Sequence, residues 1–272
     1  MRGRRTAAAV LLCGSAILAQ SPDARRSAGY PAYERADKLF AAQKYQECMN
    51  ALDEALRLDS NLVPALTLRS KLAMSINRFD VARKHLERAI AADPASSYAQ
   101  FLYGFLLYRQ NELPAAITAL ERARQLNPRD AAAALYLGLS KESLGNTADA
   151  LVLYRDAIRL EEAAGHLHVD TMMPCARLLL VLGEFDEEER LLDRAMKIAP
   201  DARDPHFEAC RLWLRKGDPA RAAKEGEIAL GLRGDITDRQ VHYLLVQAYQ
   251  AAGRNADAER HAAAVHALEQ GK

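Results

Sequence analysis

The sequence lacks nearly all of the short motifs through which a protein declares a chemistry. No GxSxG, HExxH, GxGxxG or phosphate-binding loop occurs, and there is no Cys-x-x-Cys pair. Charge of one sign is lacking as well. The 37 Lys and Arg are interspersed with 36 Asp and Glu, which excludes the basic footprint of a nucleic-acid or anionic-membrane binder. β-Branched residues and glycine-rich tracts are scarce while alanine is abundant, a balance that disfavours strands and predicts an all-α protein. A chain of 272 residues buries a sizeable core without difficulty. The expectation is a non-enzymatic helical protein with no cofactor and no metal.

Long apolar runs are also missing, except at the amino terminus. Arg2, Arg4 and Arg5 precede an uncharged run from Thr6 to Ala19, after which the chain turns polar. A basic start, a short apolar helix and a small residue at its end form the order of a secretory signal. The run has fourteen residues, whereas a membrane span needs about 20. Residues 1–28 are therefore predicted to be a signal peptide, cut near Ala19, with a short linker. The mature chain is then exported, to a periplasm or to the outside, with no stable membrane span; an uncleaved N-terminal anchor is the alternative. Cys13 follows Leu12, where a lipoprotein cut needs a small residue, and Arg4-Arg5 lacks the rest of a twin-arginine motif.

What the sequence has is a period. Small residues recur every 34 positions at Ala36, Ser70, Gly104 and Gly138, then, after a shift of four, at Ala176 and Cys210, and after a further two at Val246. A second series runs Cys48, Ala82, Ala116, Ala150, Glu188, Ala222, Ala258, and a third runs Ala55, Ala89, Ala123, Ala157, Ala195, Ala229, Val265. Turn formers keep step at Gln43, Asn77, Asn111, Gly145, Gly183, Gly217 and Gly253, and Pro94, Pro128 and Pro200 mark unit boundaries. Within a unit the apolar residues repeat with helical spacing, as at Ala150, Leu153, Tyr154, Ala157 and Ile158. Each unit thus reads as two helices around a tight turn, with small residues where the backbones cross closely.

A helix-turn-helix period of this length, with small residues at fixed places and a closing proline, resembles the tetratricopeptide repeat (TPR) family. Residues 97–130 and 131–164 match best, through "LYGFLLYRQNELPAAITALERARQLNP" and "LYLGLSKESLGNTADALVLYRDAIRL". The resemblance implies an α-solenoid, a right-handed superhelix of about seven units at 29–62, 63–96, 97–130, 131–164, 169–202, 203–236 and 239–272. The chain departs from the family pattern in three ways: no tryptophan at the early aromatic position, Gly226 in place of a large residue, and Glu188 at a small position. The last two predict looser packing in the fifth and sixth units. Insertions fall around "GHLH" and at Thr237-Asp238, lengthening linkers.

The remaining candidates for chemistry have structural explanations. Cys48, Cys175 and Cys210 lie at or beside packing positions, as small apolar fillers. His166, His168 and Asp170 are the one metal-like cluster, without a matching second pair at ligand spacing. The acid run "GEFDEEER" reads as a solvated helix start favoured by the helix dipole. Trp213 falls in register with Leu107 and Leu179, inside a helix pair.

In the family the first helix of each unit lines a concave face that holds extended or helical peptides. Carried over by position, the resemblance assigns partner binding to Phe101, Phe105 and Tyr108, to Leu135 and Leu139, and to Met173, Arg177, Phe207 and Arg211. Where some members hold a terminal carboxylate with Lys, Arg and Asn, this chain has Tyr33, Asp37, Leu68, Tyr98 and Leu102, so that clamp is absent. An apolar wall instead suits the apolar face of a partner helix or an apolar stretch of extended chain. Two alternatives stay open: burial of these side chains against the array's own next turn, and self-assembly with a second copy through the last unit, whose closing helix has no cap.

Overall fold

The computed structural model describes residues 27–270. The predicted signal segment and its cut near Ala19 lie outside the described residues. The described residues form fourteen α-helices and no named strand, joined only by short connections. They are α1 Tyr30–Ala41, α2 Tyr45–Leu58, α3 Val63–Ser75, α4 Phe79–Ala92, α5 Ser97–Arg109, α6 Leu113–Leu126 and α7 Ala131–Ser143. There follow α8 Thr147–Ala164, α9 Val169–Leu182, α10 Phe185–Ile198, α11 Arg203–Lys216, α12 Pro219–Gly231, α13 Asp238–Ala251 and α14 Asn255–Glu269. They make two compact units, one ending at Leu160 and the other beginning at Glu161.

The turn inside every helix pair is made the same way. Gln43, Asn77, Asn111, Gly145, Gly183, Gly217 and Gly253 all adopt positive φ, between 58° and 83°. These are the seven turn formers that recur in the sequence. A left-handed residue lets the chain reverse within a few residues, and Gln43 does so with a Cβ that glycine would not carry.

The connections between pairs repeat too. The carboxylates of Asp59 and Asp93 and the side-chain carbonyl of Asn127 each accept from the backbone N–H two residues on, at 2.9, 3.0 and 3.2 Å. Such turns compete with helix and end α2, α4 and α6. The next residue in this register is Glu161, whose longer side chain does not close the same turn. There α8 runs on to Ala164, and the Glu161 carboxylate accepts from the His168 N–H at 2.9 Å and the Thr171 hydroxyl at 2.8 Å. The insertion around "GHLH" is this extra helical turn and its tie.

The small-residue series are crossing points. Ala36, Cys48, Ala55, Ser70, Ala82, Ala89, Ala116 and Ala123 are fully buried in the first unit, as are Ala176, Ala195, Ala222 and Ala229 in the second. A Cβ on Gly104 would stand 2.6 Å from Leu120 Cγ, and one on Gly138 2.7 Å from Tyr154 Cε1, so α5 and α7 meet α6 and α8 through bare backbone. Burial pushes the Cys48 and Cys210 thiols up to about 11 and about 12, with the Asp37 and Glu225 charges adding to it, which keeps both thiols protonated fillers.

One expectation of loose packing and one of solvation need correction. A Cβ on Gly226 would lie 2.6 Å from Leu245 Cδ2, because Leu245 of α13 fills the space that the missing side chain leaves. Leu245 is consequently buried and its neighbour Val246, in the small-residue register, only half-buried. The acid run at the start of α10 is not wholly solvated either. Glu188 has 0% exposure, and neither of its carboxyl oxygens has a hydrogen-bond partner. Burial, and after it the negative charge of Glu208, raises its pKa to about 8.

The second insertion is tied down by one buried side chain. Arg203 of α11 donates to the carbonyls of Ile236 at 2.7 Å, of Leu230 and of Leu232, and pairs with Asp238 at 2.7 Å. Its guanidinium satisfies the carbonyls that the linker between α12 and α13 leaves unpaired.

Candidate functional site

In the first unit the assigned residues form an aromatic cluster between α5 and α7. Phe101 and Phe105 stack with centroids 6.3 Å apart, and Tyr136 of α7 meets Phe105 edge-on at 4.7 Å, Phe101 at 6.2 Å and Tyr108 at 5.5 Å. Phe101 and Phe105 are 5% and 3% exposed, so these rings join the two repeats and leave little area for a ligand. Leu135 is buried as well, whereas Tyr108 and Leu139 keep part of their surface. The spacing of the stripe at i, i+4 and i+7 is legible in the sequence; Tyr136, which covers it, carries no such signal. Arg109 lies over the Phe79 and Phe105 rings at 5.2 and 5.9 Å, a further contact within this cluster.

In the second unit the assigned residues separate. Met173 is buried. Arg177 of α9 and Arg211 of α11 converge on the buried carboxylate of Glu208, at 4.0 and 2.6 Å. Burial raises the Glu208 pKa despite the two guanidiniums that oppose the rise. Phe207 and Arg211 open onto a cleft of about 500 Å³ between α11, α13 and the end of α14, lined also by Arg239, Tyr243, Leu244 and Glu269. Tyr243 is 56% exposed, unusual for an aromatic ring and enough to offer a face to a ligand. Arg239 stands 3.7 Å from Glu269, so each guanidinium in the cleft already faces one carboxylate. Arg239 and Glu269 carry no sequence signal of their own; only the register of α13 against α14 brings them together.

The other sequence candidates have ordinary surroundings. His168 precedes α9 and lies 3.4 Å from Glu161, while His166 is exposed. Trp213 packs partly buried between Arg221 and Lys216, whose charges lie 4.5 and 5.2 Å from its ring. Among the described residues no helix is long and apolar enough to cross a membrane.

Comparison with known proteins agrees with this architecture. Residues 67–120 and 104–165 match the Tetratricopeptide repeat family model. Anaphase-promoting complex subunit 3 of Schizosaccharomyces pombe is 22% identical over 199 residues, which are 73% of this chain and 29% of that protein. Tyrosine recombinase XerC of Mycobacterium sp. (strain KMS) is 33% identical over 158 residues, 54% of this chain and 49% of that protein. The chain thus spans half or less of these curated relatives. Among solved structures, PilF of Pseudomonas aeruginosa superimposes with a TM-score of 0.67 at 19% identity, covering 76% of this chain and 92% of that one. YrrB, a TPR protein with an unusual peptide-binding site, superimposes with a TM-score of 0.59 at 18% identity, covering 74% and 98%. The family match makes residues 67–165 tetratricopeptide repeats, and the helix pairs with left-handed turns before and after them share the tetratricopeptide-repeat fold. Proteins of this family generally mediate protein–protein interactions and are generally non-enzymatic scaffolds.

Proposed function

We propose that the chain is a non-enzymatic interaction scaffold that takes a partner peptide or helix on its first-helix face, with the cleft between α11 and α13 as the anchoring point. The carrying observation is the exposed Tyr243 beside Phe207 and Leu244, an apolar floor between Arg211 and Arg239. An aromatic or aliphatic anchor set into that floor contributes about 1.5–3 kcal/mol when fully covered. The peptide-binding site of YrrB, a protein of the same fold, supports the reading. Phe101 and Phe105 take a different role from the one their stripe suggests: they hold repeats three and four together, and the half-buried Tyr108 of α5 and Leu139 of α7 carry the partner-binding face there.

The proposal includes export. It rests on the basic start and the uncharged run from Thr6 to Ala19, and mass spectrometry of the chain from a cell-envelope fraction tests it. A new amino terminus just after Ala19 supports export, and an intact Met1 in a cytosolic fraction overturns it.

The binding proposal is tested with a photo-crosslinking amino acid placed at position 243 or 207, and at Lys224 on α12 as the control. One shared protein species crosslinked from 243 and 207 but not from 224 supports the cleft. Equal crosslinking from all three positions refutes it.

A further inference from the structure

α12, α13 and α14 meet around two imidazoles. His242 Nδ1 of α13 lies 2.8 Å from His261 Nδ1 of α14, and His261 Nε2 lies 3.1 Å from Glu227 Oε1 of α12. The Tyr249 hydroxyl donates to the same carboxylate oxygen at 2.8 Å, and the Tyr249 ring stacks on His261 with centroids 5.4 Å apart. His261 is only 4% exposed, so these partners replace water around it.

Proton counting constrains the pair. A carboxylate only accepts, so His261 Nε2 carries a hydrogen. A 2.8 Å contact between two Nδ1 atoms needs one hydrogen between them, donated by either ring. The contact therefore survives while the two rings together carry at most one positive charge. A second positive charge puts an N–H on both facing nitrogens, and the bond becomes a repulsion.

We propose that His242 and His261 form an acid-released latch that holds α14 on α13 and α12 at neutral pH and lets it go when both rings become cationic. The charged and titratable groups facing the pair are Glu227 from α12, and Asp238 and Tyr249 from α13; Arg254 and Asp257, at the start of α14, lie beside Tyr249. Burial, and after it the His261 charge, lowers the His242 pKa below its ordinary value, and the Asp238 and Glu227 charges oppose the shift. A lowered histidine pKa supplies stability that is present above the unfolded pKa and lost as pH falls through the folded one. Release belongs to the mildly acidic side of neutrality. Because Glu269 of α14 lines the cleft, release also opens one wall of it, a consequence that rests on the cleft being the binding site.

The test uses the full chain without a partner, so it does not depend on the binding proposal. Amide hydrogen exchange, corrected for intrinsic rates, is followed for α14 and for α6 as an internal reference at pH 7.5 and pH 5. The latch predicts that protection of α14 relative to α6 falls by about tenfold or more between the two pH values. His242→Asn keeps a side-chain amide that donates or accepts but never charges, so its α14 protection becomes independent of pH. Unchanged wild-type protection, or an equal acid loss in His242→Asn, overturns the proposal. Should that variant not fold, imidazole ¹⁵N titration of the wild type decides: both rings reaching full protonation with α14 amide signals unmoved also overturns it, and coincident movement supports it.

Discussion

Phe105 and Tyr136 meet edge to face with ring centroids 4.7 Å apart, and this contact joins the first helices of two successive repeats. Aromatic pairs in this geometry contribute about 0.5–1.5 kcal/mol beyond the area they bury. Phe105→Ala should lower stability by about 3–5 kcal/mol, as a large cavity in a close-packed core does. Urea unfolding of Phe105→Ala, Tyr136→Ala and the double variant measures both the loss and the coupling between the rings. A loss under about 1 kcal/mol would mean that Phe105 is not core.

Gly138 offers a sharper test of how the helices touch. Alanine is native at the same register position in Ala36 and Ala176, yet at 138 a Cβ meets the Tyr154 ring at 2.7 Å. Gly138→Ala should therefore cost about 1–3 kcal/mol through overpacking, outweighing its gain in helix propensity. A shift of the unfolding midpoint to lower urea checks it.

Glu188 predicts a gain. Its carboxyl is buried without partners, and its pKa is raised to about 8, against about 4.3 in an unfolded chain. An acid with a raised folded pKa costs nothing while both states are protonated, and destabilises progressively as pH rises from the unfolded value to the folded one. Glu188→Ala, which restores the small residue of the repeat, should raise stability by about 1–3 kcal/mol at pH 7. The difference from wild type should shrink toward pH 4, as thermal melts across that range would show.

Gln43 predicts a smaller gain. It adopts the left-handed conformation at φ 58° where four other turns have glycine. Gln43→Gly should stabilise by up to about 1 kcal/mol, by relieving the crowding of a Cβ in that region. Chemical denaturation resolves a change of this size.

Periodicity made much of the fold legible. The spacing of Gly145, Gly183, Gly217 and Gly253 and of the small-residue series reports backbone geometry that every repeat must satisfy, so the sequence displays it seven times. Contacts made once are not displayed in this way. Tyr136 covering Phe105, Leu245 entering the space at Gly226, Arg203 tying the linker carbonyls and His242 meeting His261 each depend on one pair of residues in one place. For the same reason the Phe101 stripe looked available: what covers it comes from the next repeat, 35 residues later at Tyr136. Glu188 is legible as an exception to the small-residue rule, but its burial depends on the helices packed around it, which no single position reports.

The most direct measurement of the central claim uses the segment crosslinked at position 243, made as a peptide and titrated into the full chain. Binding should protect the amides of α11 and α13, and Phe207→Ala with Tyr243→Ala should weaken it by about tenfold or more. Protection confined to α10 and α12, or an affinity unchanged in that double variant, would contradict it.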